Sequence, residues 1–152
     1  MGITVRVKIA GAREMLRAFK RLPKDASREL REANREISKS LAGKIRTAAS
    51  ASSAQSAAVA PSIRAQNDRV PSVTGGGRRR ATSQRRVSRG QDPTTAGDLI
   101  FGANFGATYL PQFRPQPGDD YWFFRTVEQN MPAIEAEWIE ACDTVLRKWA
   151  AD

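Results

Sequence analysis

Residues 30–48 constrain the fold more than any other part of the chain, because apolar residues recur there every three or four positions. The apolar positions are Leu30, Ala33, Ile37, Leu41, Ile45 and Ala48. This spacing forms one stripe of a helix, which we predict from about Ala26 into the late forties or fifties, with Asp25 as its N-cap. Charged pairs on its other face, such as Arg28 with Glu32, add only about 0.2–0.5 kcal/mol each. Packing of the stripe against a sheet must therefore hold the helix.

Two shorter elements precede this helix. Ile3, Val5, Val7 and Ile9 alternate with polar residues, the period of two that is typical of a half-buried strand. The following residues, 12–21, carry apolar side chains at helical spacing and end before a proline, which disfavours continuation of a helix. We predict a short strand followed by a short amphipathic helix.

The segment after the long helix is less regular. Ala48 to Ala60 is almost entirely alanine and serine, which suits either a frayed helix end packed against a neighbour or a flexible join. Ser62 to Val73 contains Ile63 and Val70 with a proline between Val70 and Val73, a composition typical of an extended edge strand or hairpin arm. We predict a strand in this second segment.

Thr74 to Gly97 is the least globular part of the chain. It begins with three consecutive glycines after Thr74, has no aromatic residue, and contains a cluster of arginines. These are Arg78, Arg79, Arg80, Arg85, Arg86 and Arg89. The composition predicts a long basic loop or extended hairpin tip. Either the arginines contact DNA phosphate or an acidic neighbour, or the loop is a solvated insertion; the lack of aromatics disfavours sequence-specific reading of bases.

The C-terminal third supplies most of the bulky side chains. Leu99, Ile100 and Phe101 predict an apolar strand followed by a turn of small residues, whose glycine spacing is not that of a phosphate-binding loop. Asp119 or Asp120 is the predicted cap of a final helix that starts with aromatic residues. Pro132 then allows one kinked helix or two successive helices. The residues after Pro132 form one apolar stripe, which belongs either to the core or to an interface. The stripe consists of Ile134, Trp138, Cys142, Val145 and Trp149.

The chemistry-bearing residues do not form a catalytic pattern. The chain has no histidine, and its one cysteine, Cys142, lies on the apolar stripe, where a buried inert thiol is expected. Helix capping explains the adjacent Asp119 and Asp120 without a metal pair or an acid–base dyad. We therefore expect no enzyme activity, no cofactor and no metal site.

Charge divides the chain into two parts. Residues 1–90 contain 21 Lys/Arg and 6 Asp/Glu, a balance of +15, whereas residues 91–152 contain 4 and 10, a balance of −6. Such asymmetry fits nucleic-acid binding by the basic part, or like subunits that meet basic face to acidic face in a ring. There is no apolar run of about 18 residues and no signal-peptide core. We expect a soluble, non-exported protein without membrane contact.

These elements together predict an α+β fold in a single domain covering residues 1–152. A small antiparallel sheet packs against a long helix of the N-terminal half and a C-terminal helix, and a basic loop extends at about residues 74–97. The length of 152 residues suits one domain with its own core.

The order of the elements resembles that of the tail-completion, or head-to-tail joining, proteins of long-tailed bacteriophages. The resemblance rests on the segments GDLIFGANFG at 97–106, QFRP at 112–115 and YWFFR at 121–125, together with the N-terminal half. The family's short strand, amphipathic helix, long alanine-rich helix, strands around a variable loop, aromatic-glycine turn and closing helix have counterparts here in order. Asn104 stands where the family usually has an acidic residue, and the loop is longer and more basic than usual.

The resemblance implies a structural protein of the phage neck that joins the completed tail to the DNA-filled head. It implies a ring of like subunits, expected to be a hexamer, around the DNA channel. Its partners would be neighbouring neck, stopper, adaptor or tail-terminator proteins, with non-specific contact to channel DNA through the loop arginines. The protein would be located in the virion, and in the host cytoplasm during assembly.

Within this reading, we predict subunit contacts at acidic residues of the late helix and at several aromatic residues. These candidates are Glu128, Glu135, Glu137, Glu140, Asp143, Phe105, Phe113 and Trp122. Two alternatives stay open at this point: a small basic nucleic-acid-binding protein, and, within the same class, a tail terminator or minor capsid protein.

Overall fold

A computed structural model of the chain describes residues 2–77, 95–96, 100, 103–104 and 121–150. In this part the fold is α+β, with a small three-stranded antiparallel sheet and long helices, as the sequence predicts. The predicted long basic loop falls mostly outside the described residues. None of the described helices is long and apolar enough to cross a bilayer.

The N-terminal elements follow the predicted order. Strand β1 covers Gly2–Arg6, helix α1 covers Ala12–Phe19 and helix α2 covers Lys24–Ser52. The predicted cap is wrong: Pro23 is the N-cap residue of α2, and Asp25 lies in the first turn, where it pairs with Arg28. The fixed φ angle of a proline before the first helical residue directs the chain into the helix without a side-chain cap. A carboxylate in the first turn is still stabilising, because the N-terminal end of a helix carries a partial positive charge.

The alanine- and serine-rich segment is helical. Helix α2 continues to Ser52, and Ser53 then caps a second helix, α3 (Ala54–Val59), by accepting a hydrogen bond from the Ser56 backbone N–H at 3.1 Å. A single 3-10 turn, Ala60–Ser62, ends this run. Of the two alternatives, the structure therefore has packed helix and not a flexible join.

The sheet has the order β1-β3-β2, with β2 at Arg64–Ala65 and β3 at Ser72–Gly76. Val5 pairs with Val73, and Ala65 pairs with the same residue from the other side. Val73 is thus in the central strand. Of the two alternatives for residues 62–73, the hairpin arm is confirmed, because β2 and β3 are antiparallel and joined by a turn, and the edge position belongs to β2. A proline is tolerated because Pro71 precedes the first residue of β3 and leaves the ladder intact.

Two more predictions need correction. Thr74, Gly75 and Gly76 belong to β3 and not to the loop. Ile100, predicted in a strand, is helical, as are the described residues Ala96, Ala103 and Asn104. Short apolar runs do not distinguish a buried strand from a buried helix. Leu99 and Phe101 of the predicted strand lie outside the described residues.

Helix α4, Trp122–Ala150, is one helix with Pro132 inside it. It runs antiparallel to α2: Lys44 donates to Asn130 at 3.0 Å near one end, and Lys148 bonds Glu29 at 2.6 Å near the other. Pro132 is exposed, so its missing N–H does not leave a gap in the core. The predicted caps Asp119 and Asp120 lie outside the described residues.

Helix α2 holds the fold together, because it contacts both the sheet and α4. The Ser38 hydroxyl accepts from the Ser72 backbone N–H at 2.9 Å, and Arg46 donates to the Ile63 carbonyl at 3.1 Å. The apolar stripe of α2 is buried against these neighbours, including Leu30 and Ile45 at 1% and 0% exposure. The predicted packing of this stripe against a sheet is therefore confirmed, with α4 as its second partner.

Candidate functional site

A basic groove runs between α1, the N-terminal half of α2 and the turn that joins β2 to β3. Its main part has a volume of about 640 Å³, and an adjoining cleft of about 510 Å³ shares Lys20 and Arg69 with it. The described lining residues include eight cationic side chains and one carboxylate, that of Glu32. The cations are Arg13, Arg17, Lys20, Lys24, Arg28, Arg31, Arg35 and Arg69.

Helix geometry brings these cations into two rows. On α1 and the residue after it, Arg13, Arg17 and Lys20 recur at intervals of four and three, and α2 repeats this with Lys24, Arg28, Arg31 and Arg35. Residues at such intervals share one helix face. Only four residues, 20–23, separate α1 from α2, and the row of α2 lines the main groove while the row of α1 lines the adjoining cleft.

The cationic row of α2 lies on the side away from α4. The contacts to α4 include side-chain hydrogen bonds of Glu29 and Lys44, which at 100° per residue are more than a third of a turn from the direction of Lys24 and Arg31. On α2, the cationic row and these two contacts therefore point in different directions.

The β2–β3 turn that carries Arg69 is fixed by contacts on both of its sides. The buried Asn34 side chain donates to the Asp68 carbonyl at 3.1 Å, and Arg6 pairs with the Asp68 carboxylate at 3.0 Å. The same carboxylate accepts from the Arg69 backbone N–H at 2.7 Å. From the other side, the indole N–H of Trp138 donates to the Arg69 carbonyl at 3.2 Å. These contacts hold the Arg69 backbone at the groove.

The groove was not among the sites predicted from the sequence. The signal is present in the sequence as the repeated spacing of four and three in each helix. That the cations of α1 and those of α2 adjoin one another is visible only in the structure, through the shared lining residues Lys20 and Arg69.

The basic site predicted from the sequence lies outside the described residues. Arg78, Arg79, Arg80, Arg85, Arg86 and Arg89 all lie outside the described residues, as do the interface candidates Phe105 and Phe113. Contact of these residues with DNA or protein therefore stays a prediction.

The predicted acidic candidates are on α4, but they do not form a single face. Glu128, Glu137, Glu140 and Asp143 are exposed and Glu135 is half-buried. The helical period places Glu128 with Glu135 on one side, and Glu137 with Glu140 nearly opposite. Asp143 pairs with Arg147 at 2.7 Å. Two or three carboxylates at most can face one partner surface.

Trp122, the described aromatic candidate, belongs to the core. Its side chain is 6% exposed, and its indole N–H donates to the Ala103 carbonyl at 2.9 Å. The Ser56 hydroxyl donates to the same carbonyl at 3.1 Å. Trp122 therefore packs within the chain, and its place among the interface candidates needs correction: little of it is left for a second subunit to contact.

The cysteine has the environment predicted for it. Cys142 is fully buried, and burial raises the pKa of its thiol to about 12. A thiol with this pKa holds its proton at neutral pH and is a poor nucleophile. Within the described ranges, no group of three metal-ligating side chains is close enough to hold a metal ion.

Comparison with known proteins adds no relative: no family model, no curated protein and no solved structure matches this chain.

Proposed function

We propose that this chain is a structural protein of the neck of a long-tailed bacteriophage, which joins the completed tail to the DNA-filled head. The observation that carries the proposal is that α4 presents exposed carboxylates, two of which, Glu137 and Glu140, lie on one side of the helix and can meet a basic surface of a second copy. The order of elements in the sequence, which resembles that of the tail-completion proteins, supports the same function.

The mechanism is steric and electrostatic. A subunit with opposite charges on two sides attracts a second copy in a head-to-tail orientation, and such heterologous contacts close into a ring when the rotation between copies allows it. The exposed acidic residues of α4, such as Glu137 and Glu140, are available for this contact. The loop arginines of one subunit would contact these carboxylates on the next subunit, or would contact a neighbouring neck protein. They are Arg78, Arg79, Arg80, Arg85, Arg86 and Arg89.

The ring, expected to be a hexamer, surrounds the channel through which DNA passes. It presents one end to the tail and the other to head proteins, and the virion neck is its location. Joining of this kind needs surface complementarity and no bond-making chemistry. The inert Cys142 thiol agrees with such a role.

In-vitro complementation tests the proposal. Filled heads and complete tails from a phage that lacks this gene are mixed with the purified protein, and infectious particles are counted. We expect the wild-type protein to restore infectivity, and a variant with all six loop arginines replaced by serine to restore much less. A variant with Lys44, Arg64 and Arg147 replaced by glutamine serves as a charge control. Failure of the wild-type protein to join heads and tails would contradict the proposal.

A further inference from the structure

Within the part of the chain that the structure describes, the eight cations of the basic groove have almost no ion-pair partners. Among the described residues, Arg28 is the only one of them in an ion pair, with Asp25 at 3.5 Å, and both side chains are largely exposed. Of the described lining residues, Glu32 is the only one with a carboxylate. Rows of like charge on adjacent helices repel one another, so the groove has a positive potential that an anionic ligand would neutralise.

The arrangement of these cations along the groove indicates an extended ligand with regularly repeated negative charges. Lys24 and Arg35 are eleven residues apart on one helix face, which is about 16 Å at 1.5 Å per residue. Five base pairs of duplex DNA span about the same length. The second row, Arg13, Arg17 and Lys20, lines the adjoining cleft, which shares Lys20 and Arg69 with the main groove.

We infer that the basic groove between α1 and α2 binds the phosphate backbone of nucleic acid, with duplex DNA as the preferred form. Six of the eight cations are arginines, whose planar guanidinium groups hold phosphate oxygens in a two-pronged contact. The site is built from other residues than the loop arginines, and the inference does not depend on the head-to-tail role of the protein.

The groove is built for contact with the backbone and not with bases. Among the described residues, Phe19 is the one aromatic residue of the lining, and it is only 3% exposed, so this part of the chain offers no ring to stack on an unpaired base. Stacking on aromatic side chains is what single-strand binders use. Binding should therefore depend strongly on salt and little on sequence.

An acidic protein surface is the competing occupant, and the carboxylates of α4 in a second copy are the obvious source. Glu128 and Glu135 lie on a different side of that helix from Glu137 and Glu140. No single side of it matches two rows of cations. The arrangement of charge thus favours a phosphate polymer.

The test measures binding of the full-length protein to a 20-base-pair duplex by fluorescence anisotropy, at salt concentrations from 50 to 300 mM. The groove variant replaces Arg28, Arg31 and Arg35 by glutamine, which removes three charges and keeps a good helix former. A second variant replaces Arg13, Arg17 and Lys20 in the same way. The control replaces Lys44, Arg64 and Arg147 by glutamine, removing three charges outside the groove.

We expect each groove variant to bind at least tenfold more weakly at 150 mM salt, and to lower the slope of log K against log salt by about 1 for each cation removed. The control should change both quantities much less. Circular dichroism verifies that each variant keeps the wild-type helix content. Equal losses in groove and control variants would overturn the proposal, since binding would then reflect net charge alone.

Self-association distinguishes the competing occupant. If the groove variants keep wild-type DNA binding but lose self-association in analytical ultracentrifugation, the groove binds protein and the proposal is wrong. A variant with the six loop arginines changed to serine, tested in parallel, should retain the slope contributed by the groove. Complete loss of DNA binding in that loop variant would also overturn the inference.

Discussion

The side-chain oxygen of Asn104 accepts a hydrogen bond from the backbone N–H of Phe123 at 3.0 Å, and both residues are fully buried. Phe123 is the second residue of α4, so this contact satisfies one of the free N–H groups at the start of the helix. Asn104, 19 positions earlier in the chain, thereby accepts a hydrogen bond of the kind that a local N-cap residue accepts in other helices.

Replacement of Asn104 by alanine should destabilise the protein. It leaves a buried N–H without its partner, which costs about 1–3 kcal/mol in the free energy of unfolding. Urea denaturation followed by circular dichroism measures this change. Asn67→Ala, at an exposed asparagine, is the control and should change the free energy by less than about 0.5 kcal/mol. Equal stability of the two variants would show that the Asn104 contact is unimportant.

Two glycine substitutions should have opposite effects. At Gly75 in β3, an added Cβ would lie 3.1 Å from Ile100 Cδ1 and 3.1 Å from Phe123 Cε2, so Gly75→Ala overpacks the core and costs about 1–3 kcal/mol. At Gly43 inside α2, the nearest atom to an added Cβ is 3.9 Å away, on the Arg46 side chain. Gly43→Ala should stabilise the helix by about 0.5–1 kcal/mol. Thermal unfolding of both variants shows whether each substitution raises or lowers the stability. A stabilising Gly75→Ala would contradict the described packing.

The β2–β3 turn should loosen when its contact with α4 is removed. Trp138→Phe removes the indole N–H that donates to the Arg69 carbonyl, and one such hydrogen bond contributes about 1 kcal/mol. Hydrogen exchange of the amides of residues 66–72 should become faster, because this turn loses one of its anchors. Ile139→Ala, on the exposed side of the same helix, should leave that exchange unchanged. Unchanged exchange in Trp138→Phe would show that the turn is held by its other contacts alone.

The buried thiol should make the protein less stable at high pH. The Cys142 pKa is raised from 9.0 to about 12 by burial, so above pH 9 the unfolded chain loses a proton that the folded chain keeps. Below pH 9 the thiol is protonated in both the folded and the unfolded chain, so its contribution to the free energy of unfolding is fully present. It falls by up to about 1.4 kcal/mol per pH unit between pH 9 and 12.

Urea denaturation at pH 8 to 10.5 measures this slope, with Cys142→Ala as the control that lacks it. A second readout is labelling by a thiol reagent at pH 8, which should be slow in native protein and fast in urea. Rapid labelling of the native protein, or equal slopes for the two proteins, would contradict the burial of this thiol.

Much of the fold could be predicted from the sequence where burial is periodic. The alternation of Ile3, Val5 and Val7 shows β1, and the stripes through Leu30 and Trp138 show α2 and α4, because one-sided burial leaves a local pattern. The position of Val73 in the central strand leaves no such pattern. Strand order depends on which strands pair at long range. Ile100 shows a second limit, because a short run of buried residues fits either a helix or a strand.

The groove illustrates a different limit. Each row of cations, such as Arg13 with Arg17 or Arg28 with Arg31, is visible in the sequence as a helical repeat. Their convergence depends on how α1 folds back on α2 and on the anchoring of Arg69 by Trp138, contacts between residues up to 69 positions apart. Tertiary contacts of this kind also explain why a remote asparagine, and not a local residue alone, caps α4.

Deletion of the gene from the producing phage, followed by negative-stain microscopy of the lysate, tests the proposed joining role most directly. The proposal predicts filled heads beside free tails of full length, and rescue when the gene is supplied from a plasmid. Overlong tails would instead assign the protein to tail termination. Intact, infectious virions in the deletion lysate would contradict the proposal.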